Sequence, residues 1–217
     1  MIRYIKRFMG VATLGACVLG ISCGGGSQPP QTPFQPPETA SVQTGSHVLG
    51  DANARVTIIE FCDFQCPYCK AFYMNTGPQI IESYVNTGKV KLAFRQFPLS
   101  SIHQNALPAA QASECAAKLG GNDGFWKYHA ALFTNGTGDG TGLDVASLRQ
   151  YAADLQFDTD SFSACVDNQE TAGSVSKDLT DGRAAGVSGT PTFFINGKKF
   201  EGAQTFSNFK TAIEAEL

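Results

Sequence analysis

The sequence predicts an α/β fold in which one sheet is assembled from two separated parts of the chain, with an all-helical block inserted between them. Three observations predict it. An apolar run, Val56-Thr57-Ile58-Ile59-Glu60-Phe61, feeds directly into a C-x-x-C motif and a helical period. From Ile102 to about Ala185 the apolar spacing is helical in period. Strand signals then return as Thr192-Phe193-Phe194-Ile195 and Lys198-Lys199-Phe200, joined by an Asn196-Gly197 pair that suits a type I′ turn.

The chain has 217 residues, room for one domain with attachments. Residues 1–23 are the first attachment: Arg3, Lys6 and Arg7 give a basic start, and Phe8 to Ile21 an apolar stretch too short to span a bilayer, the pattern of an export signal. It ends Leu19-Gly20-Ile21-Ser22-Cys23, which resembles a bacterial lipoprotein signal whose cysteine is acylated. Leu14-Gly15-Ala16-Cys17 also fits such a box but leaves only Phe8 to Thr13 as apolar segment, so Cys23 is the favoured lipidation site and Cys17 the alternative. Ordinary cleavage, with neither cysteine acylated, stands beside both. Residues 24–46 hold Pro29, Pro30, Pro33, Pro36 and Pro37 among Gln, Ser and Thr, a composition that cannot offset the entropy of folding. They are expected to be a disordered tether reaching roughly 25 to 70 Å, which would let an anchored domain work beside a membrane.

The folded domain is expected over 47–217. Its first strand is Val56–Phe61, its first helix Cys66–Tyr84, and its second strand Val90–Phe97. The insertion, about 99–185, begins with an Ala-rich helix from Ala106 to Leu119 that stops at Gly120-Gly121. An apolar stripe follows from Phe125 to Phe133, then a helix capped by Asp144 through Leu155, one starting at Asp158 or Asp160, and one over roughly Thr171 to Ala185. Ser207–Leu217 closes the chain as an amphipathic helix. Removing the three basic residues of the signal from 16 leaves 13 Lys+Arg against 19 Asp+Glu, a net −6 without any basic run. Nothing there suits nucleic acid.

Chemistry concentrates in Cys66-Pro67-Tyr68-Cys69. At this spacing both sulfurs share one helix face and can close a small disulfide ring. Pro67 suits the first helical position. A thiolate on Cys66 would face unpaired N–H groups and the positive end of the helix, so Cys66 is the expected nucleophile and Cys69 the shielded partner that resolves a mixed disulfide. Rival readings have less support. A zinc site lacks four ligands, since Cys115 and Cys165 stand alone and His47, His103 and His129 are scattered, and a c-type haem lacks a His at Lys70. No metal and no cofactor are expected. A purely structural disulfide remains the bland alternative.

Export places the chain where disulfides persist. Of seven cysteines, Cys17 and Cys23 belong to the signal and Cys66 and Cys69 to the active pair, which leaves Cys115 and Cys165 for a structural bridge closing a loop of about fifty residues. Cys62, the odd one, is read as a small buried hydrophobe rather than a third redox thiol.

Four stretches in order carry a family resemblance over roughly 47–217. They are Glu60-Phe61-x-x-Phe64-x-Cys66-Pro67-Tyr68-Cys69, Ala112-Ser113-Glu114-Cys115-Ala116-Ala117, Phe125-Trp126-Lys127-Tyr128-His129 with Leu132-Phe133, and Gly186-Val187-Ser188-Gly189-Thr190-Pro191-Thr192-Phe193. The chain resembles the DsbA-type thiol-disulfide oxidoreductases, whose thioredoxin-like fold carries a helical insertion. The resemblance implies a cis Pro191 facing the redox pair, with Thr190 offering its backbone, beside Pro67 and Tyr68, to an extended substrate strand. A trans proline that merely begins a strand is the alternative. It also implies that Glu60, on the strand under the pair, passes protons as Cys69 is deprotonated; a strand-edge Glu without a role is the alternative. His103 and His129 are read as residues in helical segments without a catalytic part, Trp126 as packing, and the 135–146 stretch, whose twelfth place is Ala146 and not Glu, as a flexible surface turn.

The expected activity is a dithiol oxidase of the cell envelope, read from one catalytic domain, an oxidising compartment and no N-terminal dimerisation module of the kind that isomerases of this fold usually carry. A monomer is expected, meeting exported reduced polypeptides and, as the resemblance implies, a membrane redox partner. A reductase or isomerase is the alternative, since a Thr before the proline is also found among isomerases. A lipid-anchored chaperone with a vestigial pair is the alternative of another class.

Overall fold

The computed structural model describes residues 42–45 and 47–217. The expected signal, both candidate acylation sites and nearly all of the expected tether lie outside the described residues. Among the described residues no helix is long and apolar enough to cross a membrane.

Five strands form one sheet in the order β1-β3-β2-β4-β5: β1 (His47–Leu49), β2 (Val56–Cys62), β3 (Val90–Gln96), β4 (Thr192–Ile195) and β5 (Lys198–Glu201). β2 and β3 run parallel and every other pair is antiparallel. The central β2 is apolar almost throughout because both of its faces are covered. Period-two alternation sorts its side chains. Val56 and Ile58 pack with Phe193, Phe209 and Ile213 on one face, and Ile59 and Phe61 with Phe97, Val187 and Phe194 on the other. Glu60 and Cys62 therefore project to the same face as Val56 and Ile58. The outer strand β5 carries Lys198, Lys199 and Glu201, which discourage pairing with another edge. Asn196 and Gly197 form its turn at φ of 46° and 82°.

The helix after β2 is a composite: α1 (Pro67–Ala71), a π turn (Phe72–Thr76), α2 (Gly77–Ile80) and a second π turn (Ile81–Val85). Pro78 has no N–H to give Met74, so the backbone widens just before it and Gly77 N–H reaches back to the Phe72 carbonyl. Four further elements make up the insertion: α3 (Ala106–Asn135), α4 (Val145–Asp154), α5 (Thr159–Asp167) and α6 (Ala172–Ala184). Within α3 the chain breaks at Gly121, whose φ of 64° and ψ of −157° are open to glycine alone, and resumes as a helix. The expected stop at Gly120-Gly121 is thus a kink between two helical halves. Asp144 caps α4 through Ala146 N–H (3.0 Å) and Ser147 N–H (3.1 Å), and Asp158 caps α5 through Ser161 N–H (2.8 Å). Cys115 on α3 is bridged to Cys165 on α5. α7 (Phe206–Glu214) ends the chain, laying Phe209 and Ile213 on the sheet.

A buried arginine joins sheet to insertion. Arg95 on β3 meets Asp178 Oδ1 at 2.6 Å and Asp181 Oδ2 at 2.5 Å, both on α6, and donates through Nη1 to the Gln43 carbonyl at 2.6 Å. Residues just ahead of 47 therefore already touch the domain.

Candidate active site

β2 delivers its last residue, Cys62, to the edge of the sheet, and the chain turns sharply through Asp63. Cys66 N–H closes that turn on the Asp63 carbonyl at 3.0 Å. Cys66 then takes the N-cap place with extended backbone, Pro67 fills the first helical position, and Lys70 N–H bonds the Cys66 carbonyl at 3.1 Å. The Asp63 carboxylate fixes the turn from inside. It accepts from Gln65 N–H (2.7 Å) and Leu99 N–H (2.8 Å), and His103 Nδ1 lies 2.8 Å from it. His103 is thus in the loop before α3 rather than in a helix, and its partner is a carboxylate under the active pair.

The Cys66 thiol is held down from its ordinary 9.0 to about 6. The largest cause is a hydrogen bond from the Cys69 thiol; partial burial opposes it, and the Thr190 hydroxyl and the N–H groups of Cys69 and Tyr68 add to it. Sequence reasoning assigned the effect to helix N–H groups and dipole alone; the neighbouring thiol outweighs them. The Thr190 hydroxyl is buried and has no hydrogen-bond partner beside the neutral thiol, which donates instead to the Thr190 carbonyl at 3.3 Å. Ionisation turns that carbonyl contact repulsive and gives the idle hydroxyl an acceptor. Cys66 is only 3% exposed, so access runs over the rim where Tyr68 stands 67% exposed.

The Thr190-Pro191 bond is cis. Its loop is shaped by Thr192 Oγ1 donating to the Gly189 carbonyl (2.7 Å) and by Gly202 N–H donating to the Pro191 carbonyl (2.9 Å). Thr190 therefore faces Cys66 from the start of β4.

Below the pair, burial governs. Cys69 and Cys62 are fully enclosed and both thiols are pushed well above 9.0, chiefly by loss of solvent. Burial also raises Glu60 from 4.5 to about 8. The Glu60 carboxylate and the Cys62 and Cys69 sulfurs lie within 4.8 Å of one another. That is three potential metal ligands, one short of a closed zinc site. Glu60 also borders a groove of about 580 Å³ between the composite helix and α3, lined in part by Tyr73, Trp126 and Phe133.

Sequence reasoning missed three parts of the site. Cys62 was judged alone, although strand parity places it beside Glu60. Asp63 carries no motif, yet three groups converge on it. The 135–146 stretch is pinned to the site: Lys70 Nζ donates to the Gly136 carbonyl (2.6 Å), Asn105 Nδ2 to the Gly140 carbonyl (3.0 Å), and a side chain at Gly138 would press on Pro67 at 3.2 Å. His129 is packed among Phe64, Tyr73, Phe94 and Phe133, and burial, then His47, lower it to about 3. It is a neutral core residue. Trp126 packs edge-on against Phe94, Phe125 and His129.

Comparison with known proteins agrees with this geometry. The thioredoxin family model matches residues 42–215. Disulfide bond formation protein D of Bacillus subtilis is 30% identical over 80% of this chain and 78% of its own length. BdbD from Bacillus subtilis superposes with a TM-score of 0.73 at 28% identity, covering 79% of this chain and 92% of that one. Wolbachia pipientis α-DsbA1 does so at 0.68 and 26%, covering 78% and 89%. The Na+/H+ antiporter NhaA 3 of Salinispora tropica is 34% identical over 77% of this chain, but the chain spans only 24% of that relative's length. The chain belongs to the thioredoxin family and, within it, to the DsbA-like thiol-disulfide oxidoreductases.

Proposed function

We propose that this chain is a dithiol oxidase of the cell envelope, passing a Cys66–Cys69 disulfide to exported, reduced polypeptides. The observation that carries the reading is the unequal treatment of the two sulfurs: Cys66 is held near 6 while Cys69 is held well above 9.0. A thiolate that ionises easily leaves easily, and stabilising it favours the reduced protein, which makes the disulfide oxidising.

The steps follow from the geometry. A substrate thiolate attacks Cys66 Sγ, the Cys66–Cys69 bond breaks, and Cys69 departs with the electron pair. Cys69 cannot remain ionised in its dry setting; Glu60, protonated below about pH 8 and on the same face, supplies the proton. A second substrate thiolate then attacks the substrate sulfur of the mixed disulfide and releases Cys66 as thiolate, supported by the Thr190 hydroxyl. The substrate gains a disulfide and the protein retains the dithiol. Thr190 and Pro191 offer an extended substrate a short backbone edge beside Cys66, with Tyr68 on the rim.

Cys23 acylation, the 24–46 tether and a membrane partner that reoxidises the dithiol complete the reading, with the protein acting as a monomer; the bacterial relatives named for disulfide bond formation support its direction. The test is the equilibrium of the pair with glutathione, together with trapping of a reduced peptide on a Cys69→Ala variant. A potential near the oxidising end of the family range, about −120 mV, with a trapped adduct on Cys66, is expected. A value near −270 mV makes the protein a reductase, and a failure to trap any peptide makes the pair vestigial.

A further inference from the structure

We propose that Cys62 is a third exchange thiol of this site: its sulfur displaces Cys66 from Cys69, moving the disulfide to Cys62–Cys69 and setting Cys66 free. The inference rests on thiol-disulfide exchange at Cys66 and Cys69 and adds a second resting place for the same disulfide.

Position carries the argument. Cys62 closes β2 on the face that Glu60 shares, and the composite helix brings Cys69 over that face. The two sulfurs and the Glu60 carboxylate lie within 4.8 Å of one another. The backbones are adjacent as well, because Asp63 N–H, the next donor after Cys62, points at Cys69 Sγ from 3.5 Å. A bridge needs the Cys62 and Cys69 sulfurs to close from within 4.8 Å to about 2 Å. Cys62 is completely buried, so what its thiol can attack is what the fold places next to it.

The exchange balances without an added oxidant. Glu60, ionised above about pH 8, takes the Cys62 proton, and Cys62 as thiolate attacks Cys69 Sγ. The Cys66–Cys69 bond breaks, Cys62–Cys69 forms, and Cys66 leaves with the electron pair. Two sulfurs remain oxidised and one reduced before and after. What changes is which thiol is free: a buried, inert Cys62 is traded for Cys66, the sulfur beside the rim, which still faces the Thr190 hydroxyl and the N–H groups of Tyr68 and Cys69 although the Cys69 thiol, now bridged, no longer donates to it. An oxidised molecule in the second arrangement can attack a wrong disulfide in a substrate, and the reverse exchange returns it to the oxidase form. One chain would thereby alternate between making and reshuffling bridges.

The test maps free thiols in the oxidised full chain. The protein is equilibrated with oxidised glutathione, quenched in acid, unfolded and labelled at its free thiols, then reduced, labelled with a second mass tag and sequenced by tandem mass spectrometry. The expected result is a population with Cys66 carrying the first label and Cys62 and Cys69 the second, above the background of a Cys62→Ala variant. A Cys66→Ser variant is expected to form the Cys62–Cys69 bridge outright. If Cys62 is the free thiol in every oxidised wild-type molecule, the proposal falls while the oxidase reading stands; if no disulfide forms among the three, both fall. Should either variant fail to fold, the wild-type labels decide, with Cys62→Ser as the second background.

Discussion

Replacing Cys66 by serine in the reduced protein removes one thiolate whose folded-state titration lies near 6 against an ordinary 9.0. Three units correspond to about 4 kcal/mol of differential stabilisation. The sign is fixed by the direction of the shift. A depressed folded value contributes in full above the unfolded value of 9.0, falls away as the pH drops, and is gone below about 6. At pH 7 the folded thiol is mostly ionised and the contribution is about 1.4 kcal/mol, equivalent to about 30 mV in the potential of the pair. At pH 9 it approaches about 4 kcal/mol, or about 90 mV. Urea unfolding of reduced wild type and Cys66→Ser across this range should show a stability gap that grows by these amounts, whatever constant offset the serine adds. The thiolate's ultraviolet absorbance, followed in parallel, should rise with a midpoint near 6 and lose that component in the variant. A midpoint near 9, with a gap that stays flat from pH 5 to pH 9, would refute the electrostatic basis of the proposed oxidase.

Four further outcomes are expected. Thr190→Val keeps the shape of the loop but removes the idle hydroxyl, so the alkylation of Cys66 should titrate about one unit higher, a charge-assisted hydrogen bond being worth about 1.5 kcal/mol or more. Glu60→Gln removes a carboxyl whose value is raised from 4.5 to about 8 and which therefore costs stability increasingly as pH climbs between them; relative to wild type the variant should gain about 3 kcal/mol between pH 4 and pH 7 in urea melts, while release of Cys69 in single-turnover exchange slows. Paired Cys115→Ser and Cys165→Ser substitutions open a loop with a sequence separation of 50 and should lower stability by about 4 kcal/mol without moving the potential of Cys66 and Cys69. Arg95→Ala leaves Asp178 and Asp181 without their buried guanidinium and should cost about 3–5 kcal/mol, read from thermal melts.

Much of this architecture was legible because local signals and global fold agree. The apolar run of β2, the Asp144 and Asp158 caps, and the Asn196-Gly197 turn each act over a few residues, so their chemistry can be read without knowing what lies opposite. β1 could not be read that way. Its three residues have little pattern, and the strand exists because β3 pairs with it and Asn122 bonds both the N–H (3.1 Å) and the carbonyl (2.8 Å) of Val48. The kink at Gly121 was visible as a stop but not as a continuation, since the second half of α3 is held by packing rather than by a cap. In the site, the C-x-x-C and the Thr190-Pro191 loop were identified from sequence, whereas the groups that tune them were not. The burial that raises Glu60 depends on what α3 and the composite helix cover, and the pairing of Asp63 with His103 spans forty residues. Cys62 is the instructive case. Its parity with Glu60 was available in the strand pattern, but only knowledge of the helix overhead places Cys69 beside it.

Three sulfurs of one chemical type sit within a single turn of this fold, and solvent and donors make them unequal. Cys66 meets a thiol, two N–H groups and an unemployed hydroxyl, so charge on it is answered; Cys69 and Cys62 meet apolar side chains and each other, so charge on them is not. Direction in the release step comes from that inequality, because a mixed disulfide on Cys66 breaks with the well-stabilised Cys66 thiolate departing. Were Cys66 and Cys69 equally sheltered, a mixed disulfide on Cys66 would stall for want of a leaving group, and were both exposed, Cys69 would compete for substrate. The turn that enforces the difference is held by the Asp63 carboxylate, through bonds to Gln65, Leu99 and His103, two of which belong to the segment entering the helical insertion. The insertion thus does more than cover the sheet: it fixes the angle at which the helix presents Cys66 to the Thr190 loop while keeping Cys69 over Glu60.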